Sequence, residues 1–136
     1  MWLAGRNWRV SGVDLSDVAI GKLNQSALEL NVRLDLSVGD VSEHPLSEAQ
    51  FDLIVLFYHG DRSLLSKLVG ALNPRGLLIC KLSLDWNTDA RLMVAASDPL
   101  NRNELPSIVP ELCLLHHQER PVRDRGVVEF AGRKNA

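Results

Sequence analysis

The sequence predicts an α/β fold: a mostly parallel sheet with helices on both faces and a C-terminal antiparallel hairpin. Strand-like and helix-like periods alternate over the first 82 residues, which is typical of strand–helix–strand units. Two strand-like segments near the end then follow each other with no helix between them, which favours a hairpin. At 136 residues, 46% of them hydrophobic, the chain has enough apolar material for one domain, residues 1–136.

The first third of the chain predicts a strand, a helix and a second strand. Residues 9–13 predict a strand that ends at Asp14, and Ser16 is a favourable N-cap for a helix that continues to Leu30. Residues 32–36 alternate between apolar and polar, as in a half-exposed strand. Helical spacing assigns the buried face of the helix to Ala19, Leu23, Ala27 and Leu30.

The middle of the chain predicts two buried strands on either side of a helix. Residues 53–58 are continuously apolar, which indicates a strand covered on both faces. Residues 62–72 carry leucines at helical spacing, and residues 73–76 contain the proline and glycine of a turn. Residues 77–82 predict the second buried strand.

The last third is less regular before it becomes strand-like again. Residues 85–110 hold proline breaks and a possible short helix at 102–105. Residues 112–116 and 127–131 predict the two strands of the hairpin, joined by a charged loop at 118–125.

Composition excludes several classes of function. The net charge of −2 and the pI of about 6.1 give no basis for nucleic-acid binding. Cys80 and Cys113 have no metal-ligand or disulfide spacing, so free thiols in a reducing cytoplasm are expected. Residues His116 and His117 would point to opposite faces of a strand, so we expect no metal site. No transmembrane segment, secretion signal or G-x-S-x-G nucleophile motif is present.

Two acidic residues follow successive predicted strands. Asp14 closes the first strand just before a helix, where a carboxylate can accept both hydroxyl hydrogens of a ribose. Gly39, Asp40 and Val41 follow the second strand, and Asp40 could accept a hydrogen bond from an exocyclic amine. Each has a structural alternative, because Asp14 could only cap the helix and Gly39–Asp40 could be an ordinary turn.

The stretch 57–62 (FYHGDR) follows the first buried strand. Its polar groups His59 and Asp61 would lie at the carboxyl edge of the sheet, where ligands of open α/β sheets bind. A hydrogen-bonded loop histidine is the equal alternative for His59, and Arg62 is expected to pair locally at the start of its helix.

Together these stretches resemble the class I S-adenosylmethionine-dependent methyltransferases. WRVSGVDLS resembles their second strand and ribose-binding acid, VGDV the adenine-side turn, and FDLIVLFYHGDRSLLSKLVGALNPRGLLICKL the fourth strand, its helix and the fifth strand. FYHGDRSLL resembles the tellurite-resistance-like group. The resemblance implies a Rossmann-like sheet and S-adenosyl-L-methionine as the cofactor. It implies cofactor contacts at Asp14, Leu15, Gly39, Asp40, Val41 and Phe57, and substrate-side residues at Tyr58, His59 and Asp61.

The resemblance also shows a departure. Family members carry a central first strand and a G-x-G-x-G loop, and here only Trp2-Leu3-Ala4-Gly5 resembles the helix that follows them, so residues 2–4 are expected to be the tail of a buried helix. We therefore expect an N-terminally incomplete domain, with its start either genuine or misplaced. The strands ending at Asp14 and Tyr58 would then pair directly, or water or a partner such as a second copy would fill the gap between them, or the protein would begin upstream.

These observations lead to one expected function and two alternatives. The expected function is a cytoplasmic methyltransferase, or a fragment of one, that acts on a small molecule through loops such as residues 85–110. No catalytic residue is named, because methyl transfer mainly requires alignment of the reacting atoms. The alternatives are a non-catalytic remnant that binds nucleoside weakly or serves as an interaction module, and a nicotinamide dinucleotide enzyme.

Overall fold

The chain forms two compact units, Met1–Pro45 and Leu46–Ala136. A computed structural model describes residues 1–86, 99–123 and 125–136. The predicted irregular region is therefore described only in part, because residues 87–98 lie outside the described residues.

The first unit is a two-stranded parallel sheet with one helix. After a short 3-10 helix, Ala4–Arg6, come strand β1 (Ser11–Asp14), helix α1 (Asp17–Glu29) and strand β2 (Asp35–Val38). Strands β1 and β2 run parallel over their whole length. Ser16 is the N-cap of α1 as predicted, because its side chain accepts a hydrogen bond from the amide of Ala19 at 3.1 Å.

Three expectations for the first unit are corrected. On the predicted buried face of α1, Ala27 is buried as expected and Leu23 is half-buried. Ala19 and Leu30 are exposed, and Ile20 is buried in their place. Strand β2 begins three residues later than predicted, at Asp35, although the expected alternation of burial does run from residue 32. Trp2 is not in a buried helix: it is 66% exposed and stacks under the guanidinium of Arg6 at 3.6 Å.

The second unit is a four-stranded mixed sheet in the order β3-β4-β6-β5. Strand β3 pairs parallel with β4, and the other two pairs are antiparallel. Its elements are β3 (Phe51–Phe57), α2 (Arg62–Ala71), β4 (Leu72–Leu84), α3 (Leu105–Ile108), β5 (Leu112–Val122) and β6 (Arg125–Lys134). The short helix α3 thus begins where the predicted one was expected to end.

The core of the second unit lies on one face of this sheet. Leu56, Cys80 and Phe130 are register neighbours on β3, β4 and β6, and all three are buried. Leu64 and Leu65 of α2 are fully buried, and α2 contacts β4. Each large apolar side chain buried here stabilises the fold by about 1.5–3 kcal/mol. This layer is therefore the main source of stability of the second unit.

The opposite face of the sheet is partly exposed along β3 and the adjoining part of β4, which corrects the expectation for β3. Val55 is 45% exposed, Phe57 60% and Ile79 37%, although their strands were predicted to be covered on both faces. Strand β3 is also an edge strand, because among the described residues it pairs with β4 alone.

The predicted turn at 73–76 is an irregularity inside a longer strand. Phe51 pairs with Leu72 and Leu53 with Leu77, so three extra residues of β4 bulge out between these two pairs. Arg75 has a positive φ of 67°. Gly76 is required at this bulge, because a Cβ there would lie 2.8 Å from the carbonyl oxygen of Asn73.

The charged loop predicted at 118–125 is instead part of the hairpin strands. Strands β5 and β6 stay paired up to Val122 and Arg125. Polar residues fit here because β5 is an edge strand, where Pro121 is also tolerated. The carboxylate of Glu129 accepts from Arg120 at 2.8 Å and lies 3.0 Å from the ammonium of Lys81. The hydrogen bond from Arg120 contributes most, and that from Lys81 next, to lowering the pKa of Glu129 to about 2.

Candidate functional site

The carboxyl ends of β1 and β2 form one edge of the first unit, here called the nucleoside edge and defined by Asp14, Gly39 and Asp40. The parallel register places Asp14 opposite Val38, so the two strands end together. The amide of Gly39 donates to the carbonyl of Asp14 at 3.0 Å and ties the two strand ends to each other. The sequence-predicted residues that follow the two strands are thus brought together.

Asp14 is held at the start of α1 by its own turn. Its Oδ1 accepts a hydrogen bond from the amide of Ser16 at 2.8 Å, and the side chain is exposed. Asp14 therefore does have the local structural role at the start of α1 that was considered as its alternative. Because this bond engages Oδ1, the acceptor capacity of Oδ2 is left for hydroxyl hydrogens of a ligand.

Asp40 has the same local geometry one strand away. Its Oδ1 accepts from the amide of Ser42 at 2.8 Å, and the side chain is half-buried. Beside it, no atom lies within 4 Å of the position where Gly39 would carry a Cβ. Leu15, which follows Asp14, is 69% exposed. The nucleoside edge therefore combines two fixed carboxylates with an open apolar surface, a combination suited to a ribose and a flat base.

The end of β3 in the second unit carries a strained aromatic residue. Tyr58 has a φ of 56°, a region that bulky side chains rarely adopt and that costs about 1–3 kcal/mol. Its amide donates to the carbonyl of Lys81 at 2.8 Å, which holds this conformation. Tyr58 and the preceding Phe57 are 54% and 60% exposed. The site roles of Phe57 and Tyr58 stay predictions.

Asp61 serves as the N-cap of α2. Its Oδ1 accepts from the hydroxyl of Ser63 and from the amide of Leu64, both at 2.7 Å. The hydrogen bond from Ser63 contributes most, and that from the Leu64 amide next, to lowering the pKa of the Asp61 carboxyl. The carboxylate that was predicted to face a substrate is thus engaged in helix capping, whereas His59, two residues earlier, is half-buried.

Arg62 makes a contact that sequence reasoning missed. Its guanidinium forms a bidentate ion pair with Glu104, with N–O distances of 2.5 and 2.9 Å. Glu104 also accepts from the amide of Asn101 at 2.6 Å. The hydrogen bond from Arg62 is the main reason that the pKa of Glu104 falls to about 2. Because 42 residues separate the partners, no local pattern could have indicated this pair.

His116 and His117 are neighbours on β5. His117 packs edge-on against Phe130, with ring centroids 6.5 Å apart, and its Nε2 lies 3.3 Å from Glu119. Within the described part of the chain, no group of three or more His, Cys, Asp or Glu side chains is arranged to hold a metal ion.

Comparison with known families identifies the chain. The Methyltransferase domain family matches residues 1–76, so the chain belongs to this family. A search of curated proteins gives no match. Among the described residues, no helix is long and apolar enough to cross a membrane.

Solved structures share the fold. TehB from Haemophilus influenzae superposes with a TM-score of 0.84 at 16% identity, over 98% of this chain and 52% of that one. Geranyl diphosphate C-methyltransferase from Streptomyces coelicolor A3(2), in complex with Mg²⁺, geranyl diphosphate and S-adenosyl-L-homocysteine, gives 0.78 at 14% identity, over 98% and 68%. N-methyltransferase NodS from Bradyrhizobium japonicum WM9, in complex with S-adenosyl-L-homocysteine, gives 0.70 at 20% identity, over 94% and 67%. The chain thus spans about half the length of TehB, and the Rossmann-like methyltransferase fold is confirmed.

Proposed function

We propose that the chain is an S-adenosylmethionine-dependent methyltransferase, or part of one, that transfers a methyl group to a small-molecule acceptor. The observation that carries this proposal is the nucleoside edge, where two parallel strands end together and each is followed by a fixed carboxylate. Membership of the methyltransferase family supports it. The S-adenosyl-L-homocysteine in the NodS and geranyl diphosphate C-methyltransferase structures supports the choice of cofactor.

The residues of the nucleoside edge fit the nucleoside half of that cofactor. Asp14 accepts hydrogen bonds from the ribose hydroxyls through Oδ2, while the amide of Ser16 holds Oδ1 in place. Asp40 accepts from the exocyclic amine of adenine, and the exposed side chain of Leu15 and half-buried Val41 flank the base. S-adenosylmethionine, when bound, supplies the methyl group on its sulfonium sulfur.

The proposed class of acceptor rests on the net charge of the chain. The residues predicted to face the acceptor follow strand β3. A net charge of −2 favours a small molecule over a nucleic acid as the acceptor. Phe57 stays a predicted cofactor contact, and Tyr58, His59 and Asp61 stay predicted substrate-side residues. A cytoplasmic location is part of the proposal, supported by the two free cysteines.

A second candidate is a non-catalytic module that binds nucleoside weakly or serves in protein interaction. The sequence contains no G-x-G-x-G motif, so these 136 residues supply no glycine loop for the methionine part of the cofactor. In this alternative the nucleoside edge keeps its ligand chemistry but supports no methyl transfer.

Calorimetry with S-adenosyl-L-homocysteine on the 136-residue chain tests the proposal. Asp14→Asn keeps an acceptor for the Ser16 amide but removes the charge, and we expect it to weaken binding about tenfold or more. Asp17→Asn is the matched control, because Asp17 is an exposed carboxylate in the first turn of α1. Binding tighter than micromolar supports the enzyme, and weaker binding that still depends on Asp14 favours the non-catalytic module. Binding unaffected by Asp14→Asn contradicts nucleoside binding at this edge in either candidate.

A further inference from the structure

The turn between strand β3 and helix α2 contains a backbone conformation that its own residues do not favour. Tyr58 has a φ of 56°, in the left-handed region that a bulky side chain rarely adopts. A residue stays in such a conformation only where the structure around it fixes the chain on both sides. The contacts at the two ends of the turn therefore decide the conformation of Tyr58.

The start of the turn is fixed by strand β4. The amide of Tyr58 donates to the carbonyl of Lys81 at 2.8 Å, and the preceding Phe57 is the register partner of Lys81. Strand β4 lies inside the sheet, between β3 and β6. The sheet itself therefore holds this side of the turn.

The other end of the turn is fixed where α2 begins. Asp61 accepts from the amide of Leu64 at 2.7 Å, but this cap orders only the first turn of the helix. Arg62 connects that turn to a distant part of the chain, because its guanidinium donates to both oxygens of Glu104 at 2.5 and 2.9 Å. A bidentate pair of this kind fixes an orientation as well as a distance.

Glu104 is itself held in place. Its Oε2 accepts from the amide and from the side-chain nitrogen of Asn101, at 2.6 and 2.9 Å. The adjacent Asn103 donates its amide at 2.6 Å to Glu119 of β5, whose side chain is only 8% exposed. Glu104 is thus a fixed anchor that is tied to the far strand of the sheet, and it does not simply follow the movements of Arg62.

We propose that Arg62 and Glu104 form a positioning pair that holds the turn 58–61, and with it Tyr58, in its left-handed conformation. The inference rests on the proposed function in one respect, because Tyr58 is a predicted substrate-side residue and the pair would position that side of the site. Without the pair, the backbone at Tyr58 relaxes towards an extended conformation. Its ring then changes direction, since the allowed side-chain rotamers depend on φ and ψ.

NMR of a chain labelled with ¹³C only in tyrosine tests this role, because the chain contains a single tyrosine. The Cα resonance of Tyr58 depends on φ and ψ, and the same resonance in urea gives the value for the unfolded backbone. Glu104→Gln and Arg62→Met remove the charged pair, whereas Arg62→Lys keeps the charge but loses the bidentate geometry. Glu111→Gln, at an exposed site, is the matched control. Circular dichroism of each variant checks that it is folded.

We expect Glu104→Gln and Arg62→Met to move the Tyr58 resonance at least a tenth of the way to its unfolded position, or to add a second resonance of that weight. Arg62→Lys should move it less, and Glu111→Gln should leave it in place. A resonance that Glu104→Gln does not move, even though the variant is less stable in urea, overturns the proposal and leaves the pair a purely structural contact. An effect of Arg62→Lys as large as that of Arg62→Met also overturns it.

This experiment contains no ligand, so its outcome is separate from that of the calorimetry with S-adenosyl-L-homocysteine. A chain that fails to bind the ligand but shows the expected tyrosine shifts contradicts the proposed function alone. A chain that binds the ligand but shows no tyrosine shift contradicts the positioning pair alone.

Discussion

The ion pair between Arg62 and Glu104 makes a quantitative prediction for stability. It connects the first residue of α2 to the segment just before α3 through two hydrogen bonds of 2.5 and 2.9 Å. Glu104→Gln keeps the shape of the side chain and one acceptor oxygen but removes its charge. We expect this variant to be less stable than the wild type at pH 7.

The size of the effect follows from the pKa and the exposure of the pair. A fall in the pKa of Glu104 from 4.5 to about 2 would correspond to roughly 3 kcal/mol. The side chains of Arg62 and Glu104 are 33% and 22% exposed, so solvent screens part of this interaction. We therefore expect a loss of about 1–2 kcal/mol in the free energy of unfolding.

The pH dependence of this stabilisation has a definite sign. Because the pKa of Glu104 is lower in the folded chain than its ordinary value of 4.5, the unfolded chain binds the proton more readily. The stabilisation is complete above about pH 5 and is lost as the pH falls towards 2. The difference between wild type and Glu104→Gln should shrink over the same range.

Urea unfolding of both chains at several pH values measures this difference. Glu111→Gln is the control, because Glu111 is exposed and its carboxylate makes no hydrogen bond or ion pair with the described residues. A loss below about 0.3 kcal/mol at pH 7, or a loss that stays constant down to pH 2, would refute the assigned role of the charge.

Three further predictions concern packing, capping and thiol reactivity. Leu64→Ala should lower the free energy of unfolding by about 2–5 kcal/mol in urea titration, because Leu64 is fully buried. The control Leu28→Ala, at a site that is 82% exposed, should change it by less than about 0.5 kcal/mol. Lys134→Met should cost about 1–2 kcal/mol in the same assay, since its ammonium donates to three carbonyls around the end of α2, and an unchanged midpoint would contradict this. A thiol reagent at pH 8 should modify exposed Cys113 in the native chain but should reach buried Cys80 only after unfolding. Burial raises the pKa of Cys80 to about 12, so its thiol stays protonated at this pH. Fast modification of both cysteines would contradict the assigned burial.

Local patterns predicted the elements that local interactions determine. The N-cap at Ser16 and the helix at 62–72 were predicted correctly, because capping hydroxyls and leucines at helical spacing act within one or two turns. The charged segment 118–125 was misassigned, because polarity indicates exposure but does not distinguish a loop from an edge strand. Its pairing partner lies across the hairpin, in β6.

The candidate site shows the same division between local and long-range interactions. The turns at Asp14 and Asp40 depend on an aspartate and the amide two residues later, so the sequence alone could indicate them. The pairing of Arg62 with Glu104 depends on the tertiary fold and has no local pattern. The openness of one face of β3 could not be predicted either, because an apolar strand has the same sequence whether or not a neighbour covers it.

The central claim is that the nucleoside edge binds the adenosine part of the cofactor, and amide NMR tests it residue by residue. Titration of the chain with S-adenosyl-L-homocysteine should shift the amide resonances of Ser16, Gly39 and Ser42 together, because these amides hydrogen-bond to Asp14 and Asp40. Asp14→Asn should reduce all three shifts at the same ligand concentration. Shifts confined to the second unit, or no shifts at millimolar ligand, would contradict the claim.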